Sequence, residues 1–135
     1  MKTSTKVTAT STAGYQARVT ARGHELTADE PASDGGTDTG PTPTELLLAA
    51  LASCYTLALR WAAARRGIDL GRVTVTAVGS YAKLRFSEIR LEVAADFPPG
   101  EEPALLADAS RVCYVSNTLA AGVAVEVTVS SATGS

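Results

Sequence analysis

A long apolar segment in the first half of the chain constrains the possible folds more than any other feature. Pro43 and Thr44 open it, and the residues that follow predict one helix to about Arg66, ended by Gly67. Apolar side chains recur along it at steps of four and three (Leu47, Leu51, Cys54, Ala58 and Trp61), with Leu48, Ala52, Tyr55 and Leu59 on the adjoining face. One small sheet cannot cover so much apolar surface, so we expect a dimer whose subunits share a core.

Patterns typical of strands flank this helix on both sides. Alternation predicts two or three antiparallel strands within residues 5–28, two more at 72–81 and 83–96, and a last one through the valines of 123–129. Shorter helices are expected at 101–112 and, capped by Ser116 or Asn117, up to Gly122. This order of elements indicates an α+β domain, with antiparallel sheets around the long buried helix, and residues 1–135 are expected to form a single domain.

A segment rich in proline and glycine, residues 31–43, separates the first strands from the helix. A linker between domains is one interpretation. The 30 residues before it are too few for an independent core, which favours a loop that leads into the helix.

Charge and hydropathy argue against two classes of partner. The net charge is −2, from 12 Lys and Arg against 14 Asp and Glu, and the chain has no basic footprint for nucleic acid. The longest apolar run, Leu46–Leu59, is interrupted by polar side chains, so we expect no membrane partner. No secretory leader is recognisable at the start. The predicted location is therefore cytoplasmic, where thiols stay reduced.

The two cysteines are the candidate reactive groups. Cys54 lies in the middle of the long helix, and Cys113 lies at a helix–loop junction. They can be two small buried hydrophobic residues. Alternatively they form a redox pair, in which one thiolate attacks a substrate and the other resolves the product as a disulfide. His24 is the only histidine and no Cys-x-x-Cys spacing is present, so no metal site is predicted.

Charged residues that could act on a thiol are few. Arg18, Arg22 and Arg111 are the cations best placed to lower a thiol pKa, although each could equally be an exposed partner of acids. Glu45 precedes Cys54 by nine residues, which puts it on the opposite face of the helix. We therefore expect Glu45 to cap the helix or favour its positive end, while it could still orient an arginine of its own or of a partner subunit.

Two stretches resemble a known family. GPTPTELLLAALASC at residues 40–54, followed by CYVSNTL at 113–119, resembles the OsmC/Ohr family, as do Asp29-Glu30-Pro31 and Gly35-Gly36 upstream. The resemblance spans nearly the whole chain and implies an intertwined α+β homodimer with sites at the subunit interface. Family members reduce organic hydroperoxides with dithiol reductants and need no metal or organic cofactor. By this resemblance Cys54 would be the peroxidatic nucleophile that becomes a sulfenic acid, and Cys113 the resolving thiol.

Two positions depart from the family's peroxidases, in which an arginine follows a Gly-Gly pair and a glutamate directly follows the proline. Here Tyr15 and Thr44 occupy those places, while Arg18 and Glu45 come three residues and one residue later. The pattern resembles the OsmC-like branch with a Pro-x-Glu-Leu-Leu-Leu run. Arg18 and Glu45 are therefore the substitute catalytic candidates. Two functions stay open: a peroxidase for organic hydroperoxides, and a non-enzymatic protein that binds a small lipophilic ligand or senses redox state.

Overall fold

The computed structural model describes residues 3–131, which form a mixed α+β fold with antiparallel β-structure and one long helix. The elements, in chain order, are β1 (Thr8–Thr10), β2 (Ala17–Ala21), β3 (His24–Ala28), a 3-10 turn (Ala32–Asp34), α1 (Pro43–Arg65), β4 (Thr74–Ala82), β5 (Arg85–Ala94), α2 (Glu102–Val112) and α3 (Tyr114–Ala121). The strands form a three-stranded sheet in the order β1-β2-β3 and a two-stranded sheet of β4 and β5.

These elements divide into two compact units, each made of two separate stretches of chain. Unit 1 contains the residues up to Ala52 together with Thr76–Glu92, and unit 2 contains Ser53–Val75 together with the residues from Val93 onward. Helix α1 contributes its first part to unit 1 and its last part to unit 2. The single domain expected for residues 1–135 stays a prediction.

Unit 1 contains the three-stranded antiparallel sheet expected from the N-terminal alternation. In the centre of that sheet, β2 pairs with β1 on one side and with β3 on the other, so that Arg18 lies opposite both Thr10 and Thr27. The β2–β3 hairpin turns at Arg22 and Gly23, which both have positive φ, 54° and 96°. That combination matches the right-handed twist of paired strands.

The loop that follows β3 leads directly into α1. The Asp29 N–H donates to the Pro41 carbonyl oxygen at 3.1 Å, and the Asp38 N–H donates to the Glu30 carbonyl oxygen at 3.0 Å. Gly40 passes so close to β3 that a Cβ on it would collide with the Thr27 carbonyl oxygen. The segment is thus folded onto its own unit, which confirms that it is a loop rather than a linker.

Local sequence explains both ends of α1. The Glu45 carboxylate accepts from the Thr42 N–H at 2.8 Å, and the Glu45 N–H donates to Thr42 Oγ1 at 3.2 Å, which makes a reciprocal capping box around Pro43. After Arg65 the chain turns at Gly67, whose φ is 65°. The predicted helix is confirmed to within one residue at its C-terminal end.

One chain by itself buries helix α1 only partly, and the burial of this helix within a dimer stays a prediction. Leu59 and Ala62 are fully buried, whereas Leu47, Leu57 and Trp61 are 38%, 68% and 39% exposed. The structure of one chain therefore leaves an apolar face of α1 uncovered.

Helix α1 as a whole is longer than its apolar run Leu46–Leu59, and the expectation that no membrane is a partner stays a prediction. The helix has 23 residues, an 18-residue window of it has a mean hydropathy of 1.5, and by length and composition alone it could cross a bilayer. One such helix is weak evidence, because the core helix of a soluble protein passes the same test.

Unit 2 packs the end of α1 with α2 and α3. Leu59, Leu105 and Ala109 are fully buried, and the Tyr55 hydroxyl lies 3.0 Å from Ser110 Oγ and donates to the Leu106 carbonyl oxygen at 3.3 Å. The prediction that Ser116 or Asn117 caps the last helix is wrong. Cys113 separates α2 from α3 because its extended backbone, with ψ at 104°, interrupts the helical path, and α3 begins at Tyr114.

The strand predicted at 123–129 is absent from the structure. Val123, Val125, Val127 and Val129 are instead 62%, 87%, 82% and 94% exposed. Alternating apolar side chains make a segment suitable for a sheet, but a strand also needs a neighbouring strand for its backbone hydrogen bonds. Residues 3–131 of one chain supply no such neighbour to this segment.

Candidate functional site

Cys54 and Cys113 meet in unit 2. Cys54 lies on α1 and is half-buried, whereas Cys113 lies between α2 and α3 and is fully buried. The Cys54 and Cys113 side chains interact with each other, and both cysteines are free thiols. The fold therefore joins the two candidate residues into one pair, in which only Cys54 is open to a molecule from solution.

The surroundings of Cys113 favour its thiolate. Burial is the largest influence and raises the pKa of this thiol. The Ser116 hydroxyl, the Ser116 N–H, the Cys54 thiol and the Val115 N–H act in the opposite direction, and together they lower the pKa below its ordinary value. The two N–H groups belong to the first turn of α3, where backbone donors have no partner within the helix and the helix dipole favours negative charge. The Cys113 side chain makes no capping hydrogen bond to α3.

Ser116 contacts Cys113 in two ways. Its Oγ donates to the Cys113 carbonyl oxygen at 3.2 Å, and the same hydroxyl lowers the pKa of the Cys113 thiol. A hydroxyl has one proton, so it serves one acceptor at a time. The sequence analysis used Ser116 only as a possible helix cap. In the sequence, the Cys-x-x-Ser spacing is the signal for this contact, because it places Cys113 at the cap of α3 and Ser116 in the first turn of that helix.

Arg18 belongs to unit 1 and already has an acidic partner. Its Nε lies 3.2 Å from Glu25 Oε1, and the two side chains are 71% and 59% exposed. It also lines a cavity of about 230 Å³ with Thr10, Thr12 and Gln16. Arg111, on α2, is 67% exposed and lies 3.9 Å from Asp108. Both arginines thus pair with acids at the surface, and a catalytic role for Arg18 stays a prediction.

Glu45 is engaged in the capping box of α1, as its position in the helix predicts, and a catalytic role for it also stays a prediction. Thr44 Oγ1 lies 2.6 Å from the Tyr81 hydroxyl oxygen, and the Tyr81 ring stacks on Phe86 with centroids 4.7 Å apart. Tyr15 is 65% exposed and borders a cavity of about 310 Å³ next to Gly35 and Gly36. The two positions that depart from the family's peroxidases therefore hold neutral side chains in unit 1.

Asp29 is a buried carboxylate whose role the sequence analysis missed. It is 1% exposed, and its two oxygens accept from the hydroxyls and N–H groups of Thr37 and Thr39 and from the Glu30 N–H, at 2.6 to 3.4 Å. The hydroxyls of Thr37 and Thr39 contribute most to holding the pKa of Asp29 well below its usual range. The signal in the sequence is an acid followed by two threonines in a glycine-rich loop. Asp29 organises the loop before α1.

The part of the chain that the structure describes contains no group of three or more His, Cys, Asp or Glu side chains arranged to hold a metal ion. The groups present at the cysteine pair are the two thiols, the Ser116 hydroxyl and the N-terminus of α3.

Comparisons with a family model and with solved structures both find that the chain is similar to OsmC-like proteins. A family model described as OsmC-like protein matches residues 36–128. The fold is similar to that of an OsmC-like protein from Mycoplasma pneumoniae, with 21% identity, a TM-score of 0.78, and 90% and 91% of the two chains covered. No curated protein sequence matches the chain.

Two further solved structures have names that describe a function. An organic hydroperoxide resistance protein from Elizabethkingia anophelis is 28% identical, with a TM-score of 0.70, and 90% of this chain and 93% of that chain are covered. A protein from Legionella pneumophila is described as an organic hydroperoxide resistance protein OsmC and a predicted redox protein. It is 27% identical, with a TM-score of 0.62, and 87% and 89% of the two chains are covered.

Proposed function

Because this chain belongs to the OsmC-like protein family, we propose that it is a thiol-dependent peroxidase that reduces organic hydroperoxides. The observation that carries the proposal is the contact between half-buried Cys54 and fully buried Cys113. The names of the Elizabethkingia and Legionella proteins, which share 28% and 27% of their residues with this chain, support the class of substrate.

Cys54 is the peroxidatic residue in this proposal, because it is the partly exposed member of the pair. Its thiolate attacks the terminal oxygen of the hydroperoxide, so that an S–O bond forms while the O–O bond breaks. The departing alkoxide takes up one proton from the surroundings, which balances the proton that the Cys54 thiol released on ionisation, and leaves as an alcohol. The products are a Cys54 sulfenic acid and one alcohol.

Cys113 then resolves the sulfenic acid. Its thiolate attacks the Cys54 sulfur, an S–S bond forms, and hydroxide leaves and becomes water. A dithiol reductant in the cytoplasm returns the disulfide to two thiols and is itself oxidised to a disulfide. The proposed peroxidase cycle uses sulfur chemistry alone.

Apolar side chains beside Cys54 favour an organic hydroperoxide over hydrogen peroxide. Leu51 lies one helical turn before Cys54 and Leu57 lies one turn after it. Trp61 lies two turns after Cys54, on the same face of α1. Leu57 and Trp61 are 68% and 39% exposed, so an alkyl group could contact them.

We also propose that two copies of the chain associate. The support is apolar surface that one copy leaves exposed, on α1 at Leu47, Leu57 and Trp61 and in the segment Val123–Val129. Alternating valines with free backbone edges suit pairing with a sheet edge of a second copy. Burial of these surfaces would stabilise a homodimer.

Replacement of Val127 by lysine should weaken the dimer. A charge in the middle of the alternating valines opposes their burial, so we expect the molecular mass measured by light scattering to shift from dimer toward monomer. Thr128→Lys is the matched control, because Thr128 alternates with the valines and faces the other side of an extended strand. Equal masses for the two variants and the wild-type protein would contradict a dimer contact through this segment.

The first test of the peroxidase is the intact mass of the reduced protein after one equivalent of cumene hydroperoxide, with hydrogen peroxide in parallel. We expect a loss of two hydrogens with cumene hydroperoxide at low dose, assigned to a Cys54–Cys113 disulfide by peptide mapping. Hydrogen peroxide should need a higher dose. An unchanged mass, with both thiols still countable after denaturation, would contradict the peroxidase.

A second candidate function is supported by the neutral residues Tyr15 and Thr44 at the positions where the family's peroxidases have arginine and glutamate. In that case the protein binds a small lipophilic ligand, or senses redox state, without turnover. Stabilisation against heat by lipophilic compounds, equal in the wild-type protein and in both Cys→Ser variants, would support it. Lack of stabilisation across a panel of lipids would count against it.

A further inference from the structure

We propose that a polar cavity at the β1–β2 connection binds a small oxyanion, a carboxylate or a phosphate group, through the guanidinium of Arg18. The cavity measures about 230 Å³ and is lined by Arg18 together with Thr10, Thr12 and Gln16. All four residues belong to unit 1, whereas both cysteines belong to unit 2. The inference therefore goes beyond the proposed function and does not rest on it.

One β-hairpin supplies all of these lining side chains. Arg18 lies directly opposite Thr10 in the register of β1 and β2, so the two side chains share one face of the sheet. Gln16 directly precedes β2, and Thr12 comes two residues after the end of β1. The pairing of two neighbouring strands is therefore enough to assemble the cavity within a single chain.

The chemistry of the lining favours an anion over a cation. A guanidinium has five N–H donors and no acceptor, while the hydroxyls of Thr10 and Thr12 and the Gln16 amide can donate as well. No acidic side chain is among the four lining residues. Thr10, Thr12 and Gln16 are exposed, so a ligand from solution can reach them. An oxyanion would combine a charge-assisted contact to Arg18 with further hydrogen bonds from neutral donors.

Hydrogen bonds hold one wall of the cavity in place. Gln16 Nε2 donates to Thr39 Oγ1 at 2.9 Å, and the Thr39 hydroxyl in turn donates to Asp29 Oδ2 at 2.6 Å. Asp29 is buried, so these two bonds connect the Gln16 side chain to the folded loop before α1. A side chain that is already fixed loses less conformational entropy when a ligand binds, which favours binding.

The ion pair between Arg18 and Glu25 leaves Arg18 able to bind an anion. Arg18 Nε lies 3.2 Å from Glu25 Oε1, and both side chains are more than half exposed. An ion pair so exposed contributes little to stability. Nε is one of three guanidinium nitrogens, so the other two remain for a ligand. Glu25 is therefore a competitor of the oxyanion for the same cation.

Two substitutions should change the affinity in opposite directions. Binding is followed in the full chain by the NMR shifts of backbone amides during titration with sodium phosphate and, separately, with sodium acetate. Sodium chloride keeps the ionic strength constant. Arg18→Gln should weaken oxyanion binding on the order of tenfold, the effect of losing hydrogen bonds from a charged group. Glu25→Gln should strengthen it about threefold, because the competing carboxylate is removed.

Arg90→Gln is the matched control. Arg90 also belongs to unit 1, is 59% exposed and lies 3.4 Å from an acid, Glu92, but it is not among the residues that line the cavity. This substitution should leave the affinity unchanged. Equal weakening by Arg18→Gln and Arg90→Gln would indicate non-specific attraction between charges and would overturn the proposal. A change in the same direction for Arg18→Gln and Glu25→Gln would overturn it too.

The two salts distinguish the sources of the oxyanion. Shifts of the amides of Thr10, Thr12, Gln16 and Arg18 with acetate alone would assign the site to carboxylates, and shifts with phosphate alone would assign it to phosphate groups. If neither salt moves these amides more than sodium chloride does, the cavity is no oxyanion site. The titration uses no peroxidase activity, so its result stands whether or not the protein reduces hydroperoxides.

Discussion

Cys54→Ser should reduce organic hydroperoxide turnover to the uncatalysed background. Serine has nearly the shape of cysteine, but its hydroxyl is not ionised near neutral pH and does not pass through a sulfenic acid. The variant should therefore fold and still show no consumption of cumene hydroperoxide in the presence of a dithiol. Circular dichroism and the midpoint of thermal unfolding, compared with those of the wild-type protein, check that the fold is retained.

Cys113→Ser is the companion variant, and it should fail at a different step. Its Cys54 can still attack the hydroperoxide, so one equivalent of alcohol should form and a sulfenic acid or a mixed disulfide with the reductant should be trapped. Full turnover retained by both variants would show that the pair is structural. Loss of the first oxidation in Cys113→Ser, with the sulfenic acid never formed, would contradict the assignment of Cys54 as the residue that meets the substrate.

Asp29→Asn should lower the midpoint of thermal unfolding on the order of 10 °C at neutral pH. The wild-type carboxylate accepts from two hydroxyls and three N–H groups. An amide replaces one oxygen by an NH₂ group, which brings donors against the hydroxyls of Thr37 or Thr39 and the N–H groups. Polar groups around the buried side chain at position 29 would then be left without hydrogen-bond partners. Asp38→Asn is the control. Asp38 is an exposed acid in the same loop with φ at 55°, a backbone conformation that asparagine tolerates, so this substitution should change stability little.

The effect of Asp29→Asn on the free energy of unfolding should depend on pH. The pKa of Asp29 is lower in the folded protein than in the unfolded chain, so its contribution to stability is complete above the unfolded value of about 4. It is lost as the pH falls through the folded pKa. The difference in unfolding free energy between the wild-type protein and Asp29→Asn should therefore be constant near neutral pH and shrink in acid. A difference that does not change between neutral pH and strong acid would contradict an ionised, hydrogen-bonded Asp29.

Local interactions made much of the secondary structure predictable. The capping box of Thr42 and Glu45 and the glycine at position 67 act over a few residues, so the bounds of α1 follow from neighbouring side chains. The same reason explains the strands of the N-terminal sheet, where alternation and turn residues coincide. The family likewise follows from short motifs, and the family match over residues 36–128 confirms it.

Long-range contacts limited the prediction of the site. The motifs single out Cys54 and Cys113, but 59 residues separate them, and only the packing of α1 against the start of α3 places one thiol against the other. The role of Asp29 depends on atoms that local periodicity does not describe, namely five donors around its carboxylate. The valines of 123–129 led to a prediction that the structure does not bear out. Their alternation suits a strand, but one chain offers no neighbouring strand for their backbone hydrogen bonds.

The sequence by itself thus determined the family, the long capped helix, the hairpins and the two candidate cysteines, because these depend on side chains close together in the chain. Tertiary structure decided which thiol is partly exposed, which groups act on the pKa of the Cys113 thiol and which apolar surfaces of one chain are left uncovered. Those properties depend on burial and on donors contributed by separate elements, and burial exists only once the elements have packed.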